Sequence, residues 1–222
     1  MTINPQASIE ITAFSWVPPF AEGFVRDLRP RWACEEIGLD YRERLISAVA
    51  RPEWYFAEQP WGQVPIIKDG DISLFESGAI LLHLGEKDER LLPKSGQARA
   101  AALSWLFAAF NSVEPFELEL LLLKFSIDEE WAKLRRPSLV ELVEKRLDRL
   151  ADALGEKDYL TGRFCVADIA MATVLREALH TGLVPLRPNL VAYLERCLAR
   201  PAFGRALAAQ LAAFRANEPA EA

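Results

Sequence analysis

The sequence predicts an α/β domain with the element order βαβαββα, followed by an all-α domain. Short apolar runs separated by turn residues fill the first part of the chain. A polar segment containing proline and glycine, Lys87 to Gly96, follows them and is typical of a linker. After this segment, apolar residues recur at helical spacing to the end of the chain. We therefore predict an α/β domain over residues 8–86 and a helical domain over residues 97–216.

The early elements are predicted from their periodicity. Ser8 to Phe14 alternates apolar and polar residues, which indicates a half-buried strand. Phe24 to Ile37 carries an apolar stripe ended by Gly38, which indicates a helix that Pro30 should kink or restart. Leu39 to Ile46 is predicted as the second strand, and a short helix is predicted in the stretch rich in proline and tryptophan that follows.

A β-hairpin and the helix after it form the best-defined stretch. Apolar runs at residues 64–67 and 72–75 flank a turn with Asp-Gly at its centre, which is a strong hairpin signal. The apolar spacing then predicts a helix begun by a Ser cap at Ser77. Glu76 and Ser77 would thus lie at a helix N-terminus, where free backbone N–H groups attract an anion.

The start of this hairpin carries a proline. Pro65 cannot donate to a sheet ladder, so the start of a strand is a tolerable place for it. A cis bond between Val64 and Pro65 would present the backbone N–H and C=O of Val64 to a ligand.

The motifs QVPII, a DG turn, LFES and an apolar helix, in this order, resemble the glutathione-binding half of the glutathione transferase superfamily. The resemblance implies a thioredoxin-like first domain and a helical-bundle second domain. It also implies that Val64, next to Pro65, pairs its main chain with the cysteinyl part of glutathione. Glu76 and Ser77 would hold the γ-glutamyl end, and Gln63 is a candidate for the glycyl carboxylate.

Four further helical segments are predicted after the linker. Gln97 to Phe125 is predicted as one long helix kinked at Pro115. Ser138 to Gly155 is predicted to begin with a capping box formed by Ser138 and Glu141. Asn189 to Leu198 and Ala202 to Phe214 are predicted as the last two helices.

The segment GRFCVADIAMATVL resembles a folding signal in the sixth helix of the same superfamily, with Cys165 at the cap and Asp168 at the third helical position. Because a thiol is a poor acceptor, Asp168 is expected to carry the capping box alone. The alternative is that the helix N-terminus lowers the pKa of Cys165 and makes it reactive. The folding role is favoured.

Composition excludes several classes of function. The chain has 222 residues, 51% of them apolar, and a net charge of -6, with basic and acidic residues mixed. This balance argues against nucleic acid or a membrane surface as the partner, so small ligands are expected.

Cys34, Cys165 and Cys197 are far apart, and neither His83 nor His180 has a partner at ligand spacing, so no disulfide framework or metal site is expected. We see no signal peptide or membrane span and expect a cytoplasmic protein.

A glutathione enzyme must favour thiolate over thiol, and the family places a Tyr, Ser or Cys after the first strand for this purpose. Ser15 is the only such residue between Ile9 and Val25, so it is the candidate catalytic donor. The alternative is that Ser15 is an ordinary turn residue and that the loop SWVPPFAEG shapes the electrophile pocket.

Four aromatic residues could line an apolar substrate pocket: Trp16, Phe20, Trp105 and Phe110. For the last two, a place in the core is the favoured alternative.

The resemblance implies a homodimeric detoxification enzyme that promotes attack of glutathione on a small apolar electrophile. Isomerase, dehalogenase or peroxidase activity and a non-catalytic binding role remain open alternatives.

Overall fold

The computed structural model describes residues 3–219 of the chain. Its contacts form two compact units. The first unit contains the residues up to Leu92 and those from Ala199 onward, and the second contains Pro93–Leu198. The last helix thus packs within the first unit, whereas the sequence placed it at the end of a domain over residues 97–216.

The first unit is built on a four-stranded mixed sheet with the strand order β2-β1-β3-β4. Strand β1 is parallel to β2 and antiparallel to β3, and β3 and β4 form the predicted hairpin. The fold class predicted from the sequence is therefore confirmed. The strands are β1 Ile9–Phe14, β2 Tyr41–Ile46, β3 Ile66–Asp69 and β4 Ile72–Phe75.

The helices lie between and after these strands. They are α1 Leu28–Ile37, α2 Tyr55–Glu58, α3 Ser77–Glu86, α4 Gly96–Ala108, α5 Glu114–Leu122, α6 Glu130–Leu154, α7 Val166–Ala178, α8 Pro188–Leu198 and α9 Pro201–Ala216.

Helix α1 begins four residues later than the sequence predicted, at Leu28 rather than Phe24. Pro30 is its third residue, where the backbone N–H has no partner within the helix, so the missing donor costs nothing and no kink is needed. Gly38 ends the helix with φ 73°, a left-handed conformation that glycine adopts readily.

Helix α9 packs against α1. Arg205 forms an ion pair with Glu35 at 2.6 Å, and Arg200 forms one with Glu36 at 2.6 Å. The rings of Trp32 and Phe203 meet edge to face with their centroids 4.9 Å apart. The charges of α1 that face this helix are therefore paired rather than solvated.

In the second unit, the predicted long helix is interrupted ahead of Pro115. Helix α4 continues into a π-helical turn at Ala109–Val113, after which α5 begins with Pro115 as its second residue. A proline fits this position because the first N–H groups of a helix need no partner.

The capping box predicted at Ser138 and Glu141 is wrong. Helix α6 begins at Glu130, and Ser138 lies in its interior with its hydroxyl donating to the carbonyl of Arg135 at 3.0 Å. A serine can make this bond inside a helix as readily as it can cap one. The apolar positions predicted for this helix are all buried: Leu139, Val143, Leu147, Leu150 and Leu154.

Glu117 on α5 is the unusual core residue of the second unit. It is 4% exposed, and neither carboxylate oxygen has a hydrogen-bond partner among the described residues. Burial raises the pKa of Glu117 well above 4.5, and the nearby charges of Glu177 and Glu114 raise it further. A neutral Glu117 is therefore favoured in the folded protein.

Glu117→Leu is expected to stabilise the protein, and to do so more at alkaline than at acidic pH. Because the folded pKa exceeds the unfolded value, the stability that Glu117 contributes is present below pH 4.5 and is lost as pH rises through the folded pKa. Removing an unpaired buried polar group recovers roughly 1–3 kcal/mol. Melting temperatures at pH 5 and pH 8 measure this, with Glu119→Leu as the control, since Glu119 is paired with Arg135. A lower melting temperature for Glu117→Leu at pH 8 would contradict the expectation.

No helix among the described residues is long and apolar enough to cross a membrane.

Candidate functional site

The first unit contains a cleft made of two adjoining cavities. The larger has a volume of about 290 Å³ and the smaller about 20 Å³. Arg26, Gln63 and Val64 line both, so the two are parts of one site. The larger is also lined by Phe14, Val17, Ala21, Phe24, Val25 and Arg51. The smaller is also lined by Gln59, Pro65, Glu76 and Ser77.

The loop before β3 is held by the side chains of Tyr55 and Gln59. The Val64–Pro65 peptide bond is cis, as predicted. The Tyr55 hydroxyl donates to the carbonyl of Gln63 at 2.7 Å, and the Gln59 side chain accepts from the backbone N–H of Trp61 at 2.6 Å. Burial raises the pKa of Tyr55 to about 12, so Tyr55 stays a donor at neutral pH. These bonds fix the backbone at Gln63 and Val64, which faces the cleft.

Glu76 adopts a backbone conformation that is rare for its residue type. Its φ is 69° and its ψ is 116°, and it is the only non-glycine residue with positive φ among residues 3–219. Such a conformation costs roughly 1–3 kcal/mol and is found chiefly where function requires it. Glu76 occupies the N-cap position of α3, and Ser77 is the first helical residue, so the predicted cap at Ser77 is wrong by one position.

The N-terminus of α3 carries additional positive charge. Arg29 on α1 donates to the Ser77 hydroxyl oxygen at 3.0 Å, and both side chains are buried. The Ser77 hydroxyl keeps its own hydrogen for a ligand. The free N–H groups of the first turn, the helix dipole and the guanidinium of Arg29 together make this end of the cleft a place for an anionic group.

The segment before α1 contributes Phe24, Val25 and Arg26 to the lining of the cleft, and Gln210 on α9 holds it by hydrogen bonds. The Gln210 amide donates to the carboxylate of Asp27 at 2.7 Å and to the carbonyl of Val25 at 3.1 Å. Asp27 also accepts from the buried side chain of Arg31 at 2.7 Å. Arg26 lies between Val25 and Asp27, so its backbone is held on both sides.

Comparison with known proteins shows which family the chain matches. The family described as glutathione S-transferase, N-terminal domain, matches residues 11–86, and the family described as glutathione S-transferase, C-terminal domain, matches residues 113–201. Disulfide-bond oxidoreductase YfcG of Escherichia coli is 30% identical, over 78% of this chain and 86% of its own length. The chain belongs to the glutathione S-transferase family.

Two further relatives are similar along nearly the whole chain. Glutathione S-transferase 4 of Zea mays is 29% identical, over 88% of this chain and 91% of its own length. The solved structure of a glutathione transferase family member from Pseudomonas fluorescens, with two glutathione bound, is 25% identical and covers 90% of this chain and 92% of its own. Its TM-score is 0.78.

For this member of the glutathione S-transferase family, the structure brings together the residues predicted to bind the ligand. Gln63, Val64, Pro65, Glu76 and Ser77 all line the smaller cavity. Their roles toward a ligand remain predictions.

The predicted catalytic donor, Ser15, lies elsewhere. Its backbone N–H donates to the carbonyl of Ile46 at 2.8 Å, and Ser15 is not among the residues that line the cleft. Its neighbours in sequence, Phe14 and Val17, do line it. Ser15 as the donor therefore stays a prediction that the lining of the cleft does not support.

The four aromatic residues predicted to line the substrate pocket belong to different units. Trp16 and Phe20 belong to the first unit but do not line the cleft, and Phe20 is 72% exposed. Trp105 and Phe110 belong to the second unit, where each is half-buried. The pocket formed by these four residues stays a prediction.

The capping box at the start of α7 is formed, but the expectation that Asp168 carries it alone is wrong, because the Cys165 side chain also accepts from the backbone N–H of Asp168. The Asp168 carboxylate accepts from the backbone N–H of Cys165 at 2.9 Å. Burial raises the pKa of the Cys165 thiol to about 12, and the nearby Asp168 raises it as well. The alternative of a reactive Cys165 is therefore disfavoured.

Sequence reasoning missed Arg26, Arg29 and Gln210. One signal was available: the segment VRDLRPR places three arginines in and just before a helix predicted to be amphipathic and buried. Buried arginines are rare unless they are paired or bind a ligand. Gln210 gave no comparable signal, because a single glutamine on an amphipathic helix is ordinary.

Proposed function

We propose that the protein binds glutathione in this cleft and promotes attack of its thiolate on an apolar electrophile. The observation that carries the proposal is the strained Glu76 beside Ser77 at the N-terminus of α3, both of which line the same cavity as Val64 and Pro65. Strain of this kind is maintained by the surrounding structure and is concentrated at active sites and ligand-binding sites.

Each part of glutathione has a matching group. The γ-glutamyl carboxylate suits the N-terminus of α3 with Ser77 and Arg29, and its ammonium suits the carboxylate of Glu76. The cysteinyl amide suits the backbone N–H and C=O of Val64, which lines both cavities. The glycyl carboxylate suits the Gln63 amide. The apolar wall of the larger cavity, which includes Phe14 and Phe24, suits an apolar electrophile.

Calorimetric titration with glutathione at pH 7 tests the proposal. We expect saturable binding of one glutathione per chain, and we expect cysteinylglycine, which lacks the γ-glutamyl part, to bind far more weakly. Absence of saturable binding at roughly 10 mM glutathione, ten times the upper range of ordinary KM values, would overturn it.

A second candidate reaction is reduction of small disulfides by glutathione. It is supported by the name of the Escherichia coli relative and by the lining of the larger cavity, which among the described residues offers no hydroxyl, thiol or phenol group. In this reaction the glutathione thiolate attacks one disulfide sulfur and the other leaves as a thiolate. Parallel assays with an aryl halide and with a small dialkyl disulfide distinguish the two reactions. If neither substrate reacts although glutathione binds, a non-catalytic binding role is the better proposal.

We further propose that the protein acts in detoxification in the cytoplasm, as a homodimer. Cys34, Cys165 and Cys197 are buried and form no disulfide among the described residues, which suits a reducing compartment. Strand β4 is one of the two edge strands of the sheet, and its apolar Ile72 and Phe75 are 46% and 38% exposed. Apolar residues at a sheet edge suit cover by a second copy of the chain. Sedimentation equilibrium gives the mass of the assembly and tests the dimer.

A further inference from the structure

We propose that Gln210 on α9 is a positioning residue for the glutathione cleft and acts through its hydrogen bonds to Val25 and Asp27. This inference rests on the proposed function, because the affinity that it concerns is the affinity for glutathione. Gln210 is not among the described residues that line either cavity. It acts by fixing residues 25–27, the first of which lines the larger cavity.

The side-chain amide of Gln210 is oriented by residues 25–27. Gln210 is fully buried, and its NH2 group donates to the carbonyl of Val25 at 3.1 Å and to the carboxylate of Asp27 at 2.7 Å. Its buried side-chain oxygen has no hydrogen-bond partner among the described residues. A buried acceptor without a partner costs stability. The amide keeps this orientation because both contacts are acceptors, to which only its NH2 group can donate.

Asp27 is held from a second side as well. It is fully buried and accepts from the side chain of Arg31 on α1 at 2.7 Å. Arg31 in turn donates to the carboxylate of Glu43 on β2. A continuous chain of charge-assisted hydrogen bonds therefore joins the sheet, the start of α1 and α9.

Val25 connects this network to the cleft. Its side chain lines the larger cavity and packs against the apolar cluster that contains Val64 and Tyr55. Tyr55 holds the carbonyl of Gln63, and Gln210 holds the carbonyl of Val25. Two of the chain segments that line the larger cavity are thus tethered before a ligand arrives. A site that is ordered in advance loses less conformational entropy when the ligand binds.

Gln210→Met nearly keeps the side-chain volume and removes both hydrogen bonds. If residues 25–27 then adopt the binding conformation for only about a tenth to a hundredth of the time, the dissociation constant of glutathione rises about 10- to 100-fold. Calorimetric titration measures this change. Arg205→Gln is the matched control, because it removes an ion pair between α9 and Glu35 on α1 and leaves the bonds of Gln210 in place. This control should bind glutathione as the parent does.

Gln210→Glu gives a readout that a purely structural role would not give. A protonated carboxyl group can still donate to Asp27, whereas an ionised one is repelled by it. Burial and the charge of Asp27 both raise the pKa of the new carboxyl group, so it ionises only as pH rises. We expect the dissociation constant, relative to the parent, to be within about threefold at about pH 5.5 and about 10- to 100-fold higher at about pH 8. The parent is measured at both pH values because burial also raises the pKa of Asp27.

An affinity of Gln210→Met equal to that of the parent overturns this inference. An equal loss of affinity in Arg205→Gln also overturns it, since any loosening of α9 would then weaken binding. If Gln210→Met does not fold, the titrations of Gln210→Glu decide: a ratio to the parent that does not change with pH overturns the inference. A parent that binds no glutathione overturns the proposed function and this inference with it, whereas binding that Gln210→Met leaves unchanged overturns this inference alone.

Discussion

Asp168→Ala is expected to lower the free energy of unfolding by roughly 3 kcal/mol or more, several times the effect of an average substitution. Asp168 is fully buried and accepts three hydrogen bonds. They come from the backbone N–H of Cys165 at 2.9 Å, the backbone N–H of Leu160 at 3.0 Å and the hydroxyl of Tyr193 at 3.0 Å. Each buried donor left without a partner costs about 1–3 kcal/mol, so the effect exceeds that of a lost helix cap, about 0.5–2 kcal/mol.

Denaturant unfolding followed by circular dichroism measures this loss. Tyr193→Phe removes one of the three bonds and should cost roughly 0.5–1.5 kcal/mol. Asp152→Ala on the exposed face of α6 is the control and should change little, since its ion pair with Arg149 is exposed to water. A denaturation midpoint for Asp168→Ala equal to that of Asp152→Ala would show that these bonds do not stabilise the fold.

The double variant Glu76→Ala, Ser77→Ala is expected to bind glutathione about a hundredfold to ten-thousandfold more weakly than the parent. Each substitution removes a charge-assisted contact to the γ-glutamyl group, worth roughly 1.5–3 kcal/mol, and about 1.4 kcal/mol corresponds to a factor of ten in affinity. Calorimetric titration measures both affinities. An unchanged dissociation constant would end the assignment of these residues.

A second variant, Glu76→Gly, separates the effect of the carboxylate on glutathione affinity from the effect of backbone strain on stability. Glycine adopts positive φ without steric cost, so this variant should be more stable than the parent by about 1 kcal/mol while binding glutathione weakly. Asp71→Ala, an exposed acidic residue in the turn of the β3–β4 hairpin, is the control for loss of one negative charge. If Glu76→Gly binds as tightly as the parent, the carboxylate has no part in recognition.

Local sequence patterns predicted the elements that depend on neighbouring residues. The hairpin of β3 and β4 follows from two apolar runs and an Asp-Gly turn, and the box at Asp168 follows from residues three apart. The same reasoning was wrong at Ser138, because a serine makes a short-range bond both at a cap and inside a helix, and local sequence does not distinguish them.

Val64, Glu76 and Ser77, which line one cavity, could be predicted to lie together because they fall within one continuous motif. Local chemistry predicts the hairpin and the helix start of this motif, whereas the cis bond was expected from the family resemblance. The positive φ of Glu76 was not predictable, since nothing in the residue type favours it and only the surrounding fold maintains it.

The sequence by itself thus determined the order of strands and helices, the hairpin and the position of the motif that lines the smaller cavity. Only the tertiary structure decided that α9 packs on α1, that Gln210 holds the residues beside Arg26, and that Arg26 rather than Ser15 lines the cleft. The physical reason is that an amphipathic pattern shows which face of a helix is buried but not which surface buries it. Contacts between residues more than 180 positions apart, such as Gln210 and Asp27, leave no local signal.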